Sequence, residues 1–220
     1  MGTAMTDHRD TSETHELVRI PPLGLPGTLD IPRAARGIVI FAHGSGSSRL
    51  SPRNIHVASA LRKAGFGTLL FDLLSEEEAD IRAHVFDIDL LSGRLAAAAE
   101  WLAAKTAAQR LPLGLFGAST GAAAALVAAA REPKMIKAVV SRGGRPDLAG
   151  ESLSGVKAPT LLIVGGHDPD VLALNRAALE ELDCTRRLEI VPGATHLFEE
   201  RGTLDQVIEL AQDWFLTHLH

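Results

Sequence analysis

Apolar residues along this chain come in two rhythms. Short, dense runs alternate with longer stretches in which apolar and polar positions recur at helical spacing. "RGIVIFAHG" is apolar on both faces of a strand, the signature of an interior position in a parallel sheet. "FGTLLFDLL", "LPLGLFGA", "IKAVVSRGG", "APTLLIVGGHD" and "RRLEIVPGATH" also read as strands. Ahead of them, "HELVRI" and "GTLDI" are joined by the Pro/Gly-rich "PPLGLPG" and predict an antiparallel pair at a sheet edge. Between the strands lie helices with readable punctuation. "SPRNIHVASALRKAG" opens on a Ser51 cap with Pro52 in its first turn and stops at Gly65. Ser75 and Glu78 stand at capping-box spacing, so "SEEEADIRAHVFDIDLLSGRLAAAAEWLAAK" predicts a long amphipathic helix. An alanine-rich helix follows Ser119 and ends at Pro133; "PDVLALNRAALEEL" and "LDQVIELAQDWFLTHL" complete the set. Strand–helix alternation of this kind predicts an α/β fold, a mostly parallel central sheet of about eight strands with helices on both faces.

Composition changes that picture little. No repeat or linker divides the 220 residues, so one domain over 16–220 is expected, preceded by a frayed tail over 1–15. The chain is 46% hydrophobic and 22% charged, as ordinary globular proteins are. A net charge of -5 offers no global attraction to nucleic acid or anionic lipid, and neither is expected as a partner. The polar start "MGTAMTDHRDTSETHE" lacks the apolar region of a signal peptide, and no run is long enough to span a bilayer. Cys184 is the single cysteine and cannot form an internal disulfide, which points to a reducing, cytoplasmic setting. It falls near a helix end and is given no role. A monomer or small homo-oligomer is expected.

Ligands on such sheets bind at the carboxyl ends of the strands, and the chemistry-bearing residues gather there. Ser119 lies between a strand and a helix in "GLFGASTGAAAAL", with glycine two residues away on each side. A strand turning straight into a helix forces its central residue into a strained conformation and projects the side chain outward; the glycines let strand and helix approach. Asp168 follows "TLLIVGG" and precedes Pro169, where it also fits a helix cap; Asp170 competes but falls in the helix's first turn. His196 follows "LEIVPGAT" and is the one histidine after Asp168 that lies in a strand-end loop, since His218 and His220 are terminal. The order Ser, Asp, His at successive strand ends is the α/β-hydrolase order. His43 in "HGSGSS" is expected to shape a loop whose backbone N–H groups face Ser119. A metal site built from His43, His167, Asp168 and His196 lacks the usual ligand spacings and is not expected. Arg142 and Arg145 in "SRGGRPDLAG" follow a strand and could reach the same rim, one of them binding a substrate carboxylate; the competing reading is solvated arginines or a pair with Asp147. Arg49 and Arg53 are weaker candidates for that role.

On "FAHGSGSS", "GLFGASTGAAAAL", "LLIVGGHDPDV" and "PGATHLFEE" the sequence resembles the α/β-hydrolase superfamily, and within it the small dienelactone hydrolase-like branch. It is also similar to the hydrolase domain that some bacteria fuse to a phosphoribosyltransferase, and these residues are expected to hold the hydrolase part alone. The resemblance implies two-step acyl transfer on a small-molecule carboxylic ester, thioester or lactone. Ser119 would be the nucleophile, His196 the base and Asp168 its orienting acid. The backbone N–H groups of Thr120 and Ser45 would form the oxyanion hole, and no metal or organic cofactor would be needed. Dienelactone hydrolase itself carries cysteine where Ser119 stands, so its lactone specificity does not transfer. The one candidate cover is "DLLSEEEADIRAHVFDIDLLSG", which implies an open pocket for small or medium esters. The alternative from a different class is a non-catalytic binding or accessory module on the same scaffold.

Overall fold

The computed structural model describes residues 14–106 and 110–220. The first thirteen residues of the expected tail lie outside the described residues, and β1 already runs from Thr14–Ile20. It pairs antiparallel with β2 (Leu25–Ile31) as predicted, around a turn in which Gly24 takes φ +71. The chain then alternates: β3 (Ile38–Ala42), α1 (Pro52–Lys63) and β4 (Gly67–Phe71). After β4 come α2 (Glu76–Ala79), α3 (Arg82–Val85) and α4 (Ile88–Lys105). Next are β5 (Leu113–Ala118), α5 (Thr120–Arg131), β6 (Ile136–Arg142) and a kinked 3-10 segment over Pro146–Gly155. β7 (Thr160–Gly165), α6 (Pro169–Glu181), β8 (Arg186–Val191) and α7 (Thr203–His218) finish the chain. The eight strands form one sheet in the order β1-β2-β4-β3-β5-β6-β7-β8, with the β1–β2 and β2–β4 pairings antiparallel and every pairing from β4–β3 onward parallel.

Alternation along the interior strands builds two cores. Ile38, Ile40 and Leu115 pack on one face with Leu95 and Ala99 of α4 and Ala124 and Ala128 of α5. Val39, Phe41, Phe116 and Val140 pack on the other with Val57 and Leu61 of α1 and Val207, Ala211 and Phe215 of α7. The caps read from sequence form: Ser51 accepts from Asn54 N, and Ser75 and Glu78 close a reciprocal capping box. The long helix predicted from Ser75 does not form. It breaks into α2, α3 and α4, and Asp87 caps the third by accepting from Leu90 N. Ile81 and Phe86 in that stretch are each 47% exposed, so no buried face was there to hold one continuous helix against the competing cap. The 3-10 segment had no periodic signal and was not predicted; Gly150 kinks it at φ 50.

Candidate active site

The turn from β5 to α5 is built by exclusion. Ser119 takes φ 51 and ψ -122, a conformation that L side chains rarely adopt. A Cβ at Gly121 would run into the carbonyls of Ala42 and His43 at the end of β3, coming within 2.5 Å of His43 O. A Cβ at Gly117 would sit 2.7 Å from Gly121 O. The glycines therefore let the helix start press against two strands while Ser119 carries the strain. Ser119 occupies the N-cap position of α5, yet its side chain makes no cap hydrogen bond. Its backbone is tied to β6: the Ser119 N–H donates to Arg142 O at 3.2 Å, and Arg145 N donates to Ser119 O at 3.1 Å. Ordinary turn chemistry leaves the hydroxyl unexplained.

Asp168 answers the question left by its two possible roles. It stands at the N-cap of α6 and makes no cap bond; its Oδ2 instead accepts from His196 Nδ1 at 2.7 Å. That contact leaves His196 Nε2 as the free ring nitrogen. The His196 loop lies against the exit of β6. A Cβ at Gly143, which has φ +51, would sit 3.1 Å from His196 O and 3.6 Å from its Cε1. Ser119 and His196 thus both lie against the same short β6 exit. Their side chains are not hydrogen-bonded to each other in this structure. Contacts of this type frequently close only around substrate.

The "HGSGSS" loop is held by His43. Nδ1 lies 3.1 Å from Gly44 O and Nε2 3.1 Å from the donating Leu73 N, so the neutral Nδ1–H tautomer satisfies both. Burial pushes this imidazole below its usual range, outweighing the Gly44 carbonyl and Asp72, which act the other way. Both nitrogens are therefore occupied, and among the described residues no three His, Cys, Asp or Glu side chains cluster as metal ligands do. Thr120 N, at the helix start, makes no hydrogen bond among the described residues and is available to a ligand. Ser45 N is not equivalent: it donates to Thr120 Oγ1 at 2.9 Å. Sequence reasoning paired the two backbone N–H groups and missed that the Thr120 hydroxyl takes one of them. An open cleft of about 1190 Å³ adjoins this corner, lined by Gly44, Ser45 and Thr120 but by neither Ser119 nor His196. Glu76, Glu77, Ala79 and Val85 of the expected covering segment line it as well.

The two arginines after β6 part company. Arg145 is held by Asp147, Nε to Oδ1 at 2.8 Å and Nη2 to Oδ2 at 2.7 Å. Arg142 is 6% exposed and has no carboxylate partner among the described residues. Burial pushes its guanidinium down to about 10, with Arg53 adding to the effect. Arg53 itself bonds Glu199, Nη1 to Oε1 at 3.1 Å. Cys184 lies beside β8, away from this rim, and burial pushes its thiol up.

A parallel sheet with an antiparallel edge pair, a strained serine between strand and helix, and an acid–histidine pair at later strand ends define an α/β-hydrolase. Within that fold, residues 25–214 match the model of the dienelactone hydrolase family, and the chain belongs to it. A dienelactone hydrolase structure from Anabaena variabilis is 54% identical, covers 96% of this chain and 99% of its own, and superposes with a TM-score of 0.89. Est1E from Butyrivibrio proteoclasticus shares the fold at 18% identity, over 92% of this chain and 98% of its own, with a TM-score of 0.74. A curated relative from Mycobacterium tuberculosis that carries a phosphoribosyl transferase name is 60% identical over 198 residues, 90% of this chain. Those residues make up 45% of that relative, so the chain spans less than half its length. No helix among the described residues is long and apolar enough to cross a membrane.

Proposed function

We propose that the chain is a serine hydrolase of small or medium carboxylic esters, thioesters or lactones, working through an acyl-enzyme on Ser119. The observation that carries the reading is a serine kept at φ 51 with no capping duty, on the same rim as an aspartate that bonds histidine in place of its own helix. Strain at a half-buried hydroxyl with no hydrogen-bonding duty is a cost without structural return, and it is understandable where that hydroxyl must attack. Ser119 Oγ attacks the carbonyl carbon and passes its proton to His196 Nε2. Asp168 holds the imidazole in the Nδ1–H tautomer and stabilises the imidazolium. The carbonyl π electrons move onto oxygen, and Thr120 N–H, aimed from the start of α5, stabilises that charge. The tetrahedral intermediate collapses, the leaving group departs with the proton from His196, and water repeats the sequence to release the acid. This chemistry balances without a metal or redox partner. Ser45 N–H joins the hole only if it leaves Thr120 Oγ1, so Thr120 is the firmer donor.

The transferase name of the longer relative says nothing against this reading, because that name covers a protein more than half of which has no counterpart here. The test is labelling with a fluorophosphonate probe and mapping of the modified residue, beside p-nitrophenyl acetate turnover by wild type and Ser119→Ala. Covalent capture at Ser119 and loss of turnover in the variant are expected. Equal rates, or capture elsewhere, would return the chain to the non-catalytic module.

A further inference from the structure

The loop from His43 to Arg49 is fastened at both ends to the exit of β4. His43 Nε2 accepts from Leu73 N at 3.1 Å, while Arg49 N and Nη1 each donate to one Asp72 carboxylate oxygen at 2.7 Å. Between these anchors Ser47 N donates to Gly44 O at 3.2 Å and closes a turn over Gly46, which takes φ +68. Gly44 lies directly against the elbow: a Cβ there would stand 3.0 Å from Ser119 Cβ and 3.1 Å from Ala118 O. Ser45 is therefore held beside Ser119, and its N–H donates to Thr120 Oγ1 at 2.9 Å from a backbone with little room to swing away.

The Thr120 hydroxyl has a second bond to make. A threonine hydroxyl offers one proton as well as two acceptor sites. Thr120 Oγ1 takes up one acceptor site with Ser45 N–H, and among the described residues its own proton meets no acceptor. Threonines at the far ends of α4 and α7 donate backwards along their helices: Thr106 to Leu102 O and Thr217 to Asp213 O, each at 2.8 Å. Thr120 is the first residue of α5, so no preceding helical turn offers it such a carbonyl. It is only 4% exposed, yet it lines the open cleft together with Gly44 and Ser45. A buried donor at the wall of a cleft, with nothing in the protein to receive it, finds its partner in a ligand.

We infer that the Thr120 hydroxyl is a catalytic donor: it hydrogen-bonds the oxyanion alongside Thr120 N–H, while Ser45 N–H polarises it from behind. This rests on the hydrolase reading above and gives one of its residues a further role. The oxyanion hole is then built from the two donors of a single residue next to Ser119. Ser45 is a positioning group that acts through the hydroxyl without leaving it. An O–H that accepts a hydrogen bond is a stronger donor in turn, so the 2.9 Å contact aids the hole where it would otherwise block it. No proton changes owner: the O–H bond stays intact, and its hydrogen bond tightens as charge develops on the carbonyl oxygen. In the competing arrangement the hydroxyl is a plug, displaced by substrate so that Ser45 N–H reaches the oxyanion directly. The two arrangements answer oppositely to loss of the hydroxyl.

The experiment removes the hydroxyl and keeps the backbone donor. Thr120→Val preserves the side-chain shape, Thr120→Ala suits the alanine-rich helix and decides if valine does not fold, and Thr120→Ser returns the hydroxyl. Each protein is assayed for kcat and KM on p-nitrophenyl acetate and for inhibition by butyl trifluoromethyl ketone. Ser119 Oγ adds to that ketone reversibly, its proton passing to His196, and leaves a negative oxygen in the hole. Thr120→Val and Thr120→Ala should lower kcat by about 100-fold, as loss of one oxyanion donor does, with KM moved by less than about 3-fold. Ketone affinity should fall by the same factor as kcat/KM, because adduct and transition state place the same charge on the same donors. Thr120→Ser should recover kcat to within about 5-fold of wild type, a rescue that a purely structural hydroxyl would not link to ketone affinity. Valine or alanine variants as fast as wild type, or faster, would overturn the donor and make the hydroxyl a plug. A loss of rate that serine does not rescue, or that ketone affinity does not follow, would overturn it as well. Fluorophosphonate capture at Ser119 of wild type separates the two levels: with capture, either failure leaves the hydrolase standing. Absence of capture would overturn both.

Discussion

Replacing Gly121 with alanine puts the proposed elbow under direct test. The added Cβ would collide with the Ala42 carbonyl oxygen, come within 2.5 Å of His43 O and lie 2.7 Å from Ala42 C, all rigid backbone. Ordinary non-bonded separation is about 3.5 Å, so the start of α5 would have to retreat from β3 by roughly 1 Å. Ala42 is fully buried and no flexible side chain can give way, so the whole strain falls on the helix start. Overpacking of this kind costs about 1–3 kcal/mol, and this site should reach the upper end. The same retreat moves Ser119 and Thr120 relative to His196, and a displacement of that size costs about 100-fold in rate. Gly93→Ala is the control: it lies within α4 with nothing within 4 Å of the new Cβ. That change should stabilise by about 0.5–1 kcal/mol through helix propensity alone and leave turnover as it was. Urea unfolding gives the stabilities and initial rates on p-nitrophenyl acetate give the turnover. A Gly121→Ala protein as stable and as fast as wild type would show that β3 does not close on the elbow as described.

Two further outcomes follow from the geometry. Asp168→Asn keeps the side-chain shape but lets His196 take the wrong tautomer; kcat should fall by about 1000-fold or more while KM moves little, and a KM-only effect would make Asp168 a plain helix cap. His43 gives the acid limb of stability a defined source. Burial holds its folded value below the ordinary 6.5, so as pH falls the unfolded chain takes up a proton before the folded one does. The stability that neutral His43 contributes is fully present above about pH 6.5, declines as pH drops toward the lower folded value, and is flat below it. Thermal midpoints measured from pH 8 downward should therefore fall less steeply in His43→Gln than in wild type; parallel curves would exclude His43 as the source.

Much of this molecule was legible from order and spacing alone. The apolar runs marked the interior strands because a strand covered on both faces has no polar side to show. Ser51, Ser75 and Glu78 announced their helix starts because a cap bond spans only three residues. The glycines around Ser119 pointed to the elbow because only they admit that approach. Order and spacing left open the choice of partner among residues distant in the chain; for Asp168 and His196 the pairing was implied by the family resemblance alone. Asp168 had a helix start and a histidine within reach, and only the packed structure sends its carboxylate to His196. Arg142 and Arg145 look alike in sequence; Asp147 neutralises one, while the turn of β6 buries the other under Phe198 beside Arg53. Ser45 N–H, read as free, meets the Thr120 hydroxyl from seventy-five residues away. Local rules reach a few residues in each direction, whereas a hydrogen bond or an ion pair is decided by which groups the fold brings to within about 3 Å of one another.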